Sequence, residues 1–208
     1  MHNGAALAQA VLACRAHTVP FTGLMYRTLH LHWFHSFATA QPLFSAAGGS
    51  GSRYVPPGGP AALYAAFDFD TAYRETNQIF FQTLATPAGQ ALADAGGLRP
   101  DPVVLMGIHA NVSRLLDLRN PNVRQHLNIV HDGELLIPWK NAAVATATQE
   151  LGQVVHDDDY FEGVIYPSAQ NAGHDCLVLF RIRLLPASRI HFLGFHNHPV
   201  TLPDAAIP

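Results

Sequence analysis

Apolar residues fall along the chain in short runs whose period changes from one stretch to the next. Residues 5–14 form an apolar segment that predicts a buried N-terminal helix. Over 22–35, Leu24, Tyr26 and the run from Leu29 to Trp33 suit a pleated surface and predict a strand that carries Arg27. Glycine, serine and proline take over from 48 to 60, which reads as a loop with Arg53 in its middle. Residues 61–67, with Leu63, Tyr64 and Phe67, predict a short strand. Asp68 to Thr71 then supply N-cap chemistry for a helix over 72–84, which places Glu75 in its first turn.

The pattern breaks over 89–101 and resumes as a short apolar strand over 102–108 that leads to Leu115-Leu116-Asp117-Leu118. A loop and short helix follow around 121–130. A first-turn proline and apolar spacing predict an amphipathic helix over 138–155, closed by the acidic run 157–159. Residues 163–166 and 176–185 read as two buried strands around a turn at 167–173. Strands and helices interleave without an internal repeat or a charged linker. The expectation is one mixed α/β or α+β domain, with a central mixed sheet flanked by helices.

At 49% hydrophobic and 13% charged residues, the 208-residue chain can bury one sizeable core, consistent with a single domain over 1–208. A net charge of -3 without any Lys/Arg block argues against direct nucleic-acid binding. No run approaches the ~20 apolar residues of a membrane span. Val11-Leu12-Ala13-Cys14 resembles a lipoprotein cleavage site, but no basic residue precedes it, so the buried helix is preferred. Cys14 and Cys176 form neither a metal spacing nor a disulfide framework, and a reducing compartment is expected. Among the 13 histidines, neither His30, His32 and His35 nor His191, His196 and His198 form a zinc-binding pattern, and no metal is expected.

Four segments, in order, carry a family resemblance: Met25-Tyr26-Arg27; Gly51-Ser52-Arg53-Tyr54; Leu63-Tyr64 followed by Ala72-Tyr73-Arg74-Glu75; and Gly163-Val164-Ile165-Tyr166-Pro167-Ser168-Ala169. Each alone is weak. Their order and separations, eleven residues from Arg53 to Tyr64 and eleven more to Glu75, are specific. Together they resemble the RES domain, a family of bacterial NAD-consuming toxins with an ADP-ribosyltransferase-like fold. The family-like core spans about 22–185, with the N-terminal helix and C-terminal tail flanking it. Gln170 stands where many relatives carry an arginine.

The resemblance implies a site of Arg53, Tyr64, Glu75 and Ser168, with Arg27 as a further phosphate contact. NAD+ is the implied substrate. A guanidinium in a small-residue loop suits its pyrophosphate, so Arg53 and Arg27 would hold that group. Tyr64 would stack on the flat nicotinamide ring. Ser168 would hydrogen-bond the nicotinamide ribose or carboxamide. Glu75 would stabilise the positive charge that nicotinamide leaves on the ribose. Each residue also fits a plainer local role: a surface arginine, a core tyrosine, a helix glutamate paired with Arg74, a turn-capping serine.

The implied function is that of a cytoplasmic toxin in a toxin-antitoxin pair that cleaves the nicotinamide-ribose bond, with phosphate or water capturing the ribose. Two alternatives stand beside it: transfer of ADP-ribose to a cellular protein, and a non-catalytic partner-binding module. The implied partner is a helix-turn-helix, Xre-type antitoxin whose tail blocks the NAD cleft, and a homodimer within that complex is compatible. Whether Gln170, His109, Arg114 or Arg181 reaches the ligand is open at this level.

Overall fold

The computed structural model of the protein describes residues 1–31, 44, 51–138, 142 and 144–196, the last three of these as backbone. Among these residues six strands form one sheet in the order β1-β2-β5-β4-β3-β6: β1 Val19–His30, β2 Ala62–Ala66, β3 Val103–Asp117, β4 Gly163–Pro167, β5 Asp175–Phe180 and β6 Arg189–His196. Because β1 also pairs with β3, the strands β1, β2, β5, β4 and β3 close into a circuit, with β6 on the outer edge of β3. Every pairing is antiparallel except β3 with β4, so the sheet is mixed. The helices are α1 Gly4–Ala13, α2 Phe69–Thr76, α3 Gln78–Leu84, α4 Pro87–Asp94, α5 Pro121–Leu127 and α6 Ala147–Asp157. This is the α+β architecture expected of the chain.

Alternation along the inner strands explains why they read as continuous apolar runs. On β5, Cys176, Val178 and Phe180 join a core shared with Leu7 and Val11 of α1 and Leu151 and Val155 of α6. Their neighbours Leu177 and Leu179 point the other way, into a second core with Met25, Ile108 and Val112 from β1 and β3. The same division separates Val164 and Tyr166 from Ile165 on β4. Both faces of β4 and β5 are therefore packed against apolar side chains.

Several elements depart from the sequence pattern. The first strand starts earlier and ends at His30, and residues 32–35 lie outside those described. The apolar run 102–108 is only the first half of a 15-residue strand. The break assigned to 89–101 begins later, because Pro87–Asp94 is helical with Thr86 as its N-cap. The helix expected from 138 begins at Ala147, where Thr146 and Gln149 form a capping box. The strand expected to reach 185 ends at Phe180 in a turn of 3-10 helix, Arg181–Arg183. The C-terminal tail contributes β6, which the sequence pattern did not single out.

The circuit closes through a change of partner. One edge of β3 pairs antiparallel with β6 over Leu105–Asn111 and then parallel with β4 over Leu115–Asp117, while the other edge keeps β1 as far as Leu115. Glu162, fully buried just before β4, supports this crossing. Its Oε2 accepts the Ser113 and Arg114 backbone N–H groups at 2.8 and 3.0 Å. Its Oε1 accepts the Leu185 N–H at 3.1 Å and the Ser188 hydroxyl, tying in the approach to β6. A carboxylate is the only side chain that offers acceptors alone to so many donors. Glu162→Gln sets an amide N–H2 against some of those donors and is expected to lower unfolding free energy by about 3 kcal/mol. Urea denaturation of the two proteins measures it, and equal midpoints would refute the role.

Candidate active site

The seam opposite the β3–β4 closure is the weak one. β1 meets β2 through a single pairing, Tyr26 with Ala66, and the two strands diverge beside it. A cleft of about 230 Å³ opens there. Its walls include Arg27 on β1, Ser52 and Arg53 from the preceding loop, Tyr64 on β2, Glu75 on α2, and Tyr166 and Cys176 on β4 and β5. Residues more than a hundred positions apart are thus brought together by the strand circuit.

The loop that carries Arg53 is a tight turn held from three sides. Ser52 and Val55 bond across it, and Gly51 sits at φ +70, where a Cβ would lie 2.4 Å from the Val55 carbonyl oxygen. The Tyr64 hydroxyl accepts from Ser52 Oγ at 2.7 Å and from the Tyr54 N–H at 3.0 Å. Gln149 of α6 donates to the Ser52 carbonyl at 2.9 Å. Gly152, one turn further along α6, lies so close that a Cβ there would fall 1.8 Å from the Tyr54 carbonyl oxygen. Arg53 is accordingly buried, with Nη1 donating to the Leu135 carbonyl at 3.0 Å. Its other N–H groups make no hydrogen bond to a described residue.

Arg27 shares the cleft, and burial pushes its guanidinium down to about 10, with the nearby Tyr64 hydroxyl acting in the opposite sense. It remains a cation at neutral pH, poorly hydrated, and an anionic ligand would replace the water it has lost. Burial also pushes the Tyr64 phenol up to about 12, so it stays neutral, and its hydroxyl is committed to the Arg53 loop.

Glu75 stands in the last turn of α2, not its first, because the Asp68 cap starts the helix at Phe69 and a break at Asn77 separates α2 from α3. Nor does it pair with Arg74, whose Nε donates to Asp70 at 2.7 Å while the guanidinium stacks on Phe81. Glu75 Oε1 accepts from the Ser168 hydroxyl at 2.7 Å and the Ala169 N–H at 3.1 Å, and Cys176 Sγ lies 3.9 Å away. No described residue bonds Oε2. Ser168 does not line the cleft. It is buried, and besides bonding Glu75 its Oγ accepts the Gln170 and Asn171 N–H groups at 3.1 and 3.0 Å. Gln170, His109, Arg114 and Arg181 are also not among the lining residues. Tyr166 and Cys176, which line the floor, were absent from the sequence-based set although Tyr166 lies inside one of its segments.

Two further contacts fix α2 against the sheet. Thr28 of β1 donates to the Ala72 carbonyl and meets the Thr76 hydroxyl, both at 2.7 Å. At the other end, His174 Nδ1 lies 2.9 Å from Asp68 Oδ2, and Asn171 donates to Thr71 Oγ1 at 2.8 Å. Among the described residues no group of three His, Cys, Asp or Glu side chains converges as a metal site. His30 lies 3.6 Å from Asp101, and His32, His35 and His198 fall outside the described residues. No described helix is long and apolar enough to cross a membrane.

A closed strand circuit with a cleft at its open seam, lined by two arginines and an oriented carboxylate, defines an α+β protein equipped to hold an anionic small molecule. Comparison places it more narrowly. The model of the RES domain matches residues 24–198, and the chain belongs to that family. Among solved structures, a chain of the crystal structure of the M. tuberculosis MbcT-MbcA toxin-antitoxin complex shares the fold. The TM-score is 0.61 and the identity 20%, over 93% of this chain and 92% of that one. No curated protein matches the chain.

Two outcomes follow from this geometry. Gly152→Ala forces α6 off the Tyr54 carbonyl and is expected to cost roughly 2–3 kcal/mol of stability, outweighing the ~1 kcal/mol that alanine gains as a helix former. A gain in melting temperature would contradict the close packing. For Asp68, partial burial pushes the carboxyl up, but hydrogen bonds from Thr71 and His174 outweigh it and hold the group below the ordinary aspartate range. Its contribution is therefore complete above the unfolded value of about 4 and is lost as pH falls through the lowered folded value. Asp68→Asn keeps an N-cap but should flatten stability against pH below about 4. Parallel acid limbs for the two proteins in urea titrations would refute this.

Proposed function

We propose that this protein cleaves the bond between nicotinamide and ribose in NAD+, depletes the dinucleotide, and acts as the toxin of a toxin-antitoxin pair. The observation that carries the reading is the Glu75 carboxylate, fixed through Oε1 and with Oε2 bonded by no described residue, in a cleft also lined by the buried Arg53 and by Arg27, whose guanidinium is pushed down by burial. Membership of the RES family and likeness to a chain of a toxin-antitoxin complex support it.

Arg27 and the unbonded N–H groups of Arg53 hold the pyrophosphate. Tyr64 presents its ring to the nicotinamide, and its hydroxyl positions the Arg53 loop. The C–N bond breaks with its electron pair leaving on the nicotinamide nitrogen, which becomes neutral as positive charge develops on the ribose. Glu75 Oε2 stabilises that charge. Water or inorganic phosphate then adds through oxygen to the anomeric carbon, and its proton passes to solvent by way of Glu75. Ser168 acts as a positioning residue: it spends its hydroxyl on Oε1 and so decides which carboxylate oxygen faces the ribose. No step calls for a metal. An antitoxin of the helix-turn-helix, Xre type would silence the protein by occupying the cleft.

The purified protein, freed of any antitoxin, is expected to consume NAD+ with release of nicotinamide. Glu75→Gln should lower kcat by about 10³-fold or more, and Ser168→Ala by roughly 10–100-fold with little change in KM. With adenylate-labelled NAD+ in cell extract, label in soluble products supports depletion. Label retained on one protein would replace depletion with ADP-ribosyl transfer. NAD+ left intact with and without phosphate would overturn catalysis and leave a partner-binding module.

A further inference from the structure

Tyr166 lies at the end of β4 and is only 4% exposed, yet it lines the cleft. Its hydroxyl makes no hydrogen bond to any described residue. The neighbouring Tyr54, whose ring centroid is 4.5 Å away, has a hydroxyl that is sealed off and unbonded; that of Tyr166 is not sealed in this way, and Tyr166 is the one of the two that lines the cleft. A buried hydroxyl normally has a partner, and an unbonded one facing a ligand cavity is a place where the ligand supplies it.

The chemistry of the surroundings narrows what that ligand atom is. Burial first, and then the proximity of Cys176, Glu75, Tyr64 and Tyr54, push the Tyr166 phenol well above its ordinary range. It is therefore a neutral group at physiological pH, able to donate its proton in a hydrogen bond but not to lose it. Tyr166 packs on Tyr54 of the Arg53 turn and also stands close to Cys176 and Glu75, so it lies between the arginines and the carboxylate to which the reading above assigns bond cleavage. Glu75 Oε2 can only accept there; Tyr166 adds a hydroxyl donor.

We propose that Tyr166 is a substrate-binding residue whose hydroxyl donates to an oxygen of the nicotinamide riboside half, on the carboxamide or on the ribose. This rests on the NAD+ reading of the same cleft. The contact sorts ligands by polarity at the floor: a molecule that presents only donors or apolar atoms there leaves the phenol unpaired and binds less well. The ring of Tyr166 is a separate matter, since it packs on Tyr54 as part of the core.

The conservative variant Tyr166→Phe keeps the ring packing and removes only the oxygen. Melting temperature, NAD+ kinetics, and product inhibition by nicotinamide and by ADP-ribose are measured on it and on wild type. The expected result is an unchanged or slightly raised melting temperature with kcat/KM reduced about 10-fold or more. Inhibition weakened for nicotinamide alone puts the contact on the carboxamide, and for ADP-ribose alone on the ribose; either supports the proposal. Retained kinetics and retained inhibition by both products overturn it while leaving the NAD+ reading intact. A wild-type protein that neither consumes nor binds NAD+ overturns both.

Discussion

The architecture turns on the change of partner made by β3. A strand that leaves an antiparallel neighbour for a parallel one strands backbone N–H groups at the crossing, and in a dry interior each must find an acceptor. Glu162 supplies it for Ser113 and Arg114 while also holding the segment that leads to β6. With that seam closed, the circuit of strands has its slack at the other seam, between β1 and β2, where a single pairing leaves room for the cleft. A carboxylate buried for structure thus sets where a different carboxylate can be used for chemistry.

Within the cleft the same economy of contacts recurs. Glu75 and Ser168 are 93 positions apart, and the hydrogen bond between them joins α2 to the turn after β4. The neighbouring bonds from Asn171 and His174 to the start of α2 make that join rigid rather than incidental. On the opposite wall the Arg53 turn is held by Tyr64, Gln149 and the close approach of Gly152. Arg53 is in this way not a mobile loop arginine but a preorganised donor, which lowers the ordering cost of binding an anion.

The sequence made much of this legible, and its failures have physical causes. The apolar runs at β4 and β5 and the cap at Asp68 were readable because they are local. The second half of β3 was missed although Ala110 and Val112 alternate with Asn111 and Ser113, since one face of the strand is wet and the run looks polar. Proline and alanine upstream of 147–157 mimic a helix start and extend the pattern back to 138, whereas the Thr146 and Gln149 box marks the real one. The site residues stand out by family resemblance, not by local pattern. That Ser168 would spend its hydroxyl on Glu75 rather than face the cleft depends on a contact across the fold, which no window of sequence contains. Glu162 gave no signal at all, since a glutamate between an aromatic residue and a glycine reads as surface.

The distribution of hydrogen bonds on Glu75 bears most directly on how one carboxylate could serve the proposed chemistry. A freely rotating carboxylate shares its charge between two equivalent oxygens and must lose rotational freedom as the transition state forms. Here the Ser168 hydroxyl, the Ala169 N–H and the Cys176 thiol all gather on Oε1. The plane of the group is fixed before any ligand arrives, and Oε2 is the oxygen left to meet developing positive charge. That fixed orientation suits electrostatic stabilisation of a cation in the proposed chemistry. It also explains why a serine unsuited to nucleophilic attack belongs beside it: the value of Ser168 lies in the orientation of its neighbour.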